Sequence, residues 1–203
     1  MSATDGSTLV RCWPTGDEAY VRYHDEEWGR PVRDERGVYE RLCLEGFQSG
    51  LSWLTILRKR PAFRESFAGF DPERVAQFGE RDVDRLLADA GIVRHRGKIE
   101  AAIANARATV ALRDAGEPLH ELFWSHAPAV HEAPASPADW APTTPESAAL
   151  AMQLRLAGFR FVGPTTVYST FQACGIVNDH LADCWVRDAV EADRRSVRTR
   201  GCA

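Results

Sequence analysis

Apolar residues recur at three- and four-residue spacing along most of the chain, and no run of strand length alternates with a period of two. That pattern predicts an all-α protein. Candidate helices cover roughly 17–28, 34–48, 51–60, 61–68, 72–78, 80–89, 94–114, 117–124, 145–157, 164–174 and 178–187. The punctuation agrees: Asp71-Pro72 and Gly163-Pro164 put proline at a helix start, and Gly91, Gly116 and Gly158 fall where helices should stop. Residues 126–145 contain five prolines and little periodicity, so they are expected to form the one long connection, a surface loop. The first ten residues are small and polar, and 189–203 are Arg-rich without an apolar period. Both are expected to be loose ends around a helical domain spanning 11–188.

Composition changes this picture little. The 203 residues are 44% hydrophobic and 27% charged, an ordinary globular balance, and 25 Lys and Arg against 29 Asp and Glu give a formal charge of −4. Bulk charge therefore makes no case for nucleic acid. Local clusters matter more: Arg58, Lys59, Arg60 and Arg64 form one, and Arg94, His95, Arg96 and Lys98 another, each a phosphate contact or a solvated helix face. No basic start is followed by an apolar run, and no stretch reaches the roughly 20 apolar residues of a membrane span, so a cytoplasmic protein with no membrane partner is expected. Five scattered cysteines, an odd number, suit metal binding or burial in a reducing compartment better than disulfides.

Three constellations carry chemistry. At about 100° per residue, Glu45 falls within roughly 60° of Val38 and Leu42, on the apolar stripe of its helix. A carboxylate there is either paired with a core Arg, set at the stripe's edge, or functional, because burying it alone is costly. Tyr20, Tyr23, Trp28 and Trp53 flank it in sequence. Aromatic rings beside a lone acid are core packing or a pocket for a flat cationic base, which rings attract by stacking and cation–π contact. Secondly, His180 and Cys184 are four apart and can face one metal from a helix, and Cys12 and His24 would complete a closed Cys2His2 set; buried cysteines and surface histidines are the plainer reading. Thirdly, Ala157 through Thr166 reads as helix, glycine turn and a new helix opening on Gly163, Pro164, Thr165 and Thr166. That is a helix-hairpin-helix phosphate clamp or a plain αα-hairpin.

Taken together, these blocks resemble the type I 3-methyladenine-DNA glycosylase family from about Arg11 to Cys184. The likeness is carried by Arg11-Cys12-Trp13, by Tyr23 through Gly29, by Leu42 through Gly46, by Gln48-Ser49-Gly50-Leu51-Ser52-Trp53, by Asp89 through Ile99, and by Gly158 through His180. The resemblance implies a helix-hairpin-helix DNA glycosylase fold and a structural zinc held by Cys12, His24, His180 and Cys184, joining the two ends of the domain. It also implies a pocket made by Tyr23, Glu45 and Trp53, with Trp13, Tyr20 and Trp28 nearby. The implied activity is hydrolysis of the N-glycosidic bond of 3-methyladenine in alkylated double-stranded DNA by a monomer that flips the base, with Glu45 as the acting carboxylate. The family usually places a glycine between the Cys and Trp that are adjacent here as Cys12 and Trp13. Asp179 lies near where many relatives in the superfamily carry a catalytic Asp, and it is assigned no role. A silent nucleic-acid-binding module and a zinc hydrolase with an open metal position are the alternatives.

Overall fold

The computed structural model describes residues 9–199, and it is helical, with no strand among the described residues. The helices are α1 (Glu18–Glu26), α2 (Glu35–Gln48), α3 (Trp53–Ser66), α4 (Pro72–Ala76), α5 (Glu80–Ala88), α6 (Arg96–Asp114), α7 (Leu119–Ser125), α8 (Pro145–Leu156), α9 (Pro164–Ala173) and α10 (Arg187–Thr199). Their starts follow from side chains that accept otherwise unmet backbone N–H groups. Asp17 caps α1 through the Tyr20 amide, Asp34 caps α2 through Gly37, Ser52 caps α3 through Thr55, and His95 caps α6 through Lys98. Pro72, Pro145 and Pro164 each stand in a first turn, where a missing N–H costs nothing.

α2 is the central helix. It packs against α3, α6, α7 and α9, and so buries Val38, Tyr39, Leu42, Cys43, Leu44 and Phe47 around almost its whole girth. Each such large apolar side chain withdrawn from water contributes about 1.5–3 kcal/mol, which makes α2 the most firmly seated carrier for Glu45 and Gln48. The Tyr39 hydroxyl donates to the Ala102 carbonyl at 2.9 Å, so its polar tip is satisfied. A second apolar cluster, Cys12, Tyr23, Trp28, Leu57, Leu181, Cys184, Val186 and Val190, joins the beginning and end of the described chain.

The structure departs from the sequence reading in four places. The expected break at Pro61 is absent: α3 runs through it, because Ile56, Leu57 and Phe63 are buried on both sides of the proline and outweigh the lost hydrogen bond. The helix expected at 178–187 does not form. Gly175, at φ +68°, lies so close to Gly29 and Pro31 that an added Cβ would sit 2.4–2.7 Å from their backbone, and the chain then turns irregularly. Its carbonyls are met by side chains instead, with Arg187 donating to Asn178 and His180 and the Trp140 indole to Asp179. Beyond it, the segment expected to be loose over 189–203 is helix α10 through Thr199, while 200–203 and residues 1–8 of the other expected loose end lie outside the described residues. Val190 is fully buried there, and Arg194 donates to the carbonyls of Gly175 and Ile176 at 2.8 and 2.7 Å. Lastly, the connection after α7 is more than a surface loop, since it lays His131 and Trp140 against Asp179. Among the described residues, no helix is long and apolar enough to cross a membrane.

Candidate active site and metal centre

A pocket of about 190 Å³ opens between α1, α2, α3 and α9, lined by Trp13, Tyr20, Tyr23, Trp28, Glu45, Gln48, Trp53, Trp140, Ser169 and Gln172. All six residues the sequence nominated for a base pocket line it, Trp13 included despite its unusual adjacency to Cys12. Trp13 is wedged among Tyr20, His24 and Trp28, with ring centroids 5.2, 4.8 and 4.9 Å away. Tyr23 and Trp53 lie 5.3 Å apart on another side. The indole N–H groups of Trp13 and Trp53 are buried and have no hydrogen-bond partner among the described residues.

Glu45 projects from the rigid α2 into this ring of aromatics. It is 8% exposed and has no ion-pair partner among the described residues, so desolvation pushes its carboxyl up from 4.5 to about 8. The sequence alternative of a core Arg partner is therefore not what the structure shows. The acid's charge in turn adds to burial in raising the Tyr20 and Tyr23 hydroxyls.

Four lining residues escaped sequence reading. Gln48 had a signal, standing three after Glu45 on one helix face. So did Ser169 and Gln172, which follow Thr165 by four and seven residues as a polar stripe on α9. Trp140 had none, arriving from the proline-rich connection. A groove lined by Gln48, Ser49, Gly50, Leu51, Thr165, Thr166 and Ser169 continues from Glu45 to the N-terminus of α9. There α8 ends at Leu156, Gly158 turns the chain at φ +95°, Phe159 and Val162 are buried, and Gly163 and Pro164 open α9. The two basic clusters largely dissolve into internal pairs. Arg58 binds Asp17, Arg60 binds Glu27, Arg64 binds Glu40, and Arg96 meets Glu80, Asp84 and Glu100. Lys59 and Lys98 donate to backbone carbonyls.

Behind the Trp13–Trp28 wall, the donor atoms of Cys12, His24, His180 and Cys184 lie within 4.8 Å of one another and all four residues are buried, a cluster that could hold a metal ion. Cys12 Sγ and Cys184 Sγ stand 3.3 and 3.4 Å from His180 Nδ1, and Cys184 Sγ stands 3.5 Å from His24 Nε2. The opposite ring nitrogens are engaged elsewhere: His24 Nδ1 with Asp25 at 2.7 Å and His180 Nε2 with the Trp28 carbonyl at 3.0 Å. The hydrogen bond with Cys12 is the main cause that pulls the Cys184 thiol down, against desolvation and with help from both histidines.

Comparison with known proteins defines the class. The methyladenine glycosylase family model matches residues 13–188. The chain is 48% identical to DNA-3-methyladenine glycosylase 1 of Escherichia coli K12 over 180 residues, covering 87% of this chain and 96% of that one. It is 42% identical to DNA-3-methyladenine glycosylase of Haemophilus influenzae, over 86% of this chain and 96% of the relative. Its fold matches the structure of 3-methyladenine DNA glycosylase I from Staphylococcus aureus, described for its recognition of 3-methyladenine, with a TM-score of 0.81 and 36% identity across 85% and 93% of the two chains. This chain belongs to the methyladenine glycosylase family.

Proposed function

We propose that the protein is a DNA-3-methyladenine glycosylase, which hydrolyses the N-glycosidic bond of 3-methyladenine in alkylated double-stranded DNA for base-excision repair. The observation that carries the reading is Glu45, an acid without a counter-cation inside an aromatic pocket. Methylation at N3 makes adenine cationic and a better leaving group, so a site that binds the cation well supplies much of what the reaction needs. The lesion must leave the helix to reach the pocket, at a cost of a few kcal/mol. Trp53, Tyr23 and the Trp13 cluster supply faces and edges for the flat base, and Glu45, ionised opposite the positive ring, accepts from its amino edge.

Anchoring falls to the hairpin. The first turn of α9 exposes backbone N–H groups beside Gly163, Pro164, Thr165 and Thr166, and a phosphate held there stands at the far end of the groove that leads to Glu45.

The metal centre fits a structural zinc. Ordinary Zn–S and Zn–N bond lengths require tetrahedral edges of about 3.6 Å, close to the 3.3–3.5 Å spacings between sulfur and nitrogen here. Both histidines turn their second nitrogens to acceptors, the usual support of a ligating imidazole. Two thiols and two imidazoles fill a tetrahedron, so zinc bound there would tie the Cys12 segment and α1 to the segment before α10 and brace the pocket wall. That donor count disfavours a zinc hydrolase, and the retained acid and stacking rings disfavour a silent binding module. One chain supplies the whole pocket, in keeping with a monomer, and the free thiols of Cys43 and Cys174 suit the cytoplasm. The test is to incubate the protein with methylated duplex DNA and identify the released base. Free 3-methyladenine supports the reading; intact methylated DNA defeats it.

A further inference from the structure

Asp179 is a buried acid, 3% exposed, that does not itself line the pocket. Three side chains converge on its carboxylate: His131 Nε2 at 2.6 Å on one oxygen, and Tyr168 Oη at 2.8 Å and Gln172 Nε2 at 2.6 Å on the other. Its backbone carbonyl takes the indole N–H of Trp140 at 2.9 Å. Two of these four donors, Gln172 and Trp140, line the base pocket. They arrive from α9 and from the connection after α7, so Asp179 joins two walls that otherwise share no secondary structure.

The consequence lies in the Gln172 amide, which has one donating and one accepting end. An oxygen of Asp179 takes the NH2 end. The amide oxygen is left over, and no described residue bonds to it. We propose that Asp179 is a positioning residue that turns the Gln172 carbonyl oxygen toward the bound base. Gln172 is thereby a specificity residue favouring a purine with an amino group at C6 over one with a carbonyl there. This rests on the proposed function of the pocket.

Adenine offers N–H donors at C6, whereas guanine offers an oxygen. An oxygen of Gln172 held in place can accept from the first, but meets the second lone pair to lone pair, leaving both groups desolvated without a partner. Ionised Glu45 is an acceptor too, so in that state the two residues select in the same sense. The preference depends on the amide being unable to turn over, which is what the bond to Asp179 secures. His131 and Tyr168 in turn hold the Asp179 carboxylate from its other sides, and their hydrogen bonds fix its rotation.

The experiment titrates 3-methyladenine and 3-methylguanine separately into zinc-loaded parent, Gln172→Leu and Asp179→Asn proteins. Binding is followed by tryptophan fluorescence, with circular dichroism and zinc content measured on each preparation. Gln172→Leu should lower the ratio of the two affinities at least tenfold, mainly by weakening 3-methyladenine. Asp179→Asn keeps the size of the side chain but can pair with Gln172 in either sense, so it should lower the ratio by improving 3-methylguanine. A structural loosening would weaken both bases together and leave the ratio as it was. A folded Gln172→Leu protein with the parental ratio overturns the proposal, and so does a folded Asp179→Asn protein that keeps it. If Asp179→Asn loses its fold or its zinc, Gln172→Leu decides alone. Failure of the parent to bind 3-methyladenine at all would refute the functional reading instead.

Discussion

His180 donates from Nε2 to the carbonyl oxygen of Trp28 at 3.0 Å, which leaves its Nδ1 lone pair facing the sulfurs of Cys12 and Cys184. The candidate metal site thus adjoins the pocket wall, since Trp28 and the Trp13 beside it line the pocket.

Cys184→Ala should therefore lower zinc content, thermal stability and 3-methyladenine affinity together, because energy released at a structural metal site is also folding energy. Elemental analysis and a melting curve on the same sample check this. Substoichiometric zinc in the parent protein, or a variant that loses metal and keeps its melting temperature, would contradict it.

Stability should depend on pH through Glu45. Its folded-state pKa, about 8, stands above the ordinary 4.5, so the contribution is fully present below pH 4.5 and is lost as pH rises through 8. Between pH 5 and pH 9 the parent should lose on the order of 2 kcal/mol that Glu45→Gln does not lose, a figure discounted because the pocket is open to water. Urea melts of both proteins at the two pH values give the comparison; parallel behaviour would place Glu45 in ordinary solvent.

The same acid sets the pH dependence of repair. The methylated base in DNA is cationic throughout this range, and only ionised Glu45 attracts it. At limiting substrate, base release should rise with pH and level off above about 8. In Glu45→Gln the rise should disappear, and a parental rise surviving in that variant would assign it to another group.

At the hairpin, Gly163 has φ −72° and ψ 164°, so a side chain is sterically permitted. An added Cβ would meet only the Arg155 guanidinium, at 3.7 Å. Gly163→Val should fold normally, yet crowd a phosphate out of the α9 N-terminus and weaken duplex binding about tenfold or more. Binding of the free base should survive. Equal duplex affinity at matched salt would move the anchor elsewhere, with exposed Arg94 next in line, as it has no ion-pair partner among the described residues.

Much of this site is visible in local spacing. Val38, Leu42 and Glu45 share a stripe because α2 is a regular helix, and the glycines and proline around the hairpin mark its turn. The sequence shows less where contacts are long-range. His180 and Cys184 do face one centre, though from an irregular turn shaped by Gly175 against Gly29 and Pro31, not from a helix. α10 escaped notice because its buried positions, Val190 and Arg194, include a charged residue satisfied by carbonyls 18 and 19 residues earlier. Trp140 reaches the pocket from a connection without periodicity. The partners of the Arg58–Arg64 cluster were hidden for a similar reason, as Asp17, Glu27 and Glu40 lie 24–41 residues away.

The account stands on Glu45 as the charge partner of a methylated adenine. The most direct test is titration of free 3-methyladenine into the parent and Glu45→Gln proteins at one pH near 9, where Glu45 is ionised, with melting curves confirming that both are folded. The substitution preserves shape and removes the charge, so affinity should fall by tenfold or more, as for loss of a charge-assisted hydrogen bond. Equal affinity in the two folded proteins would remove Glu45 from base recognition and contradict the account.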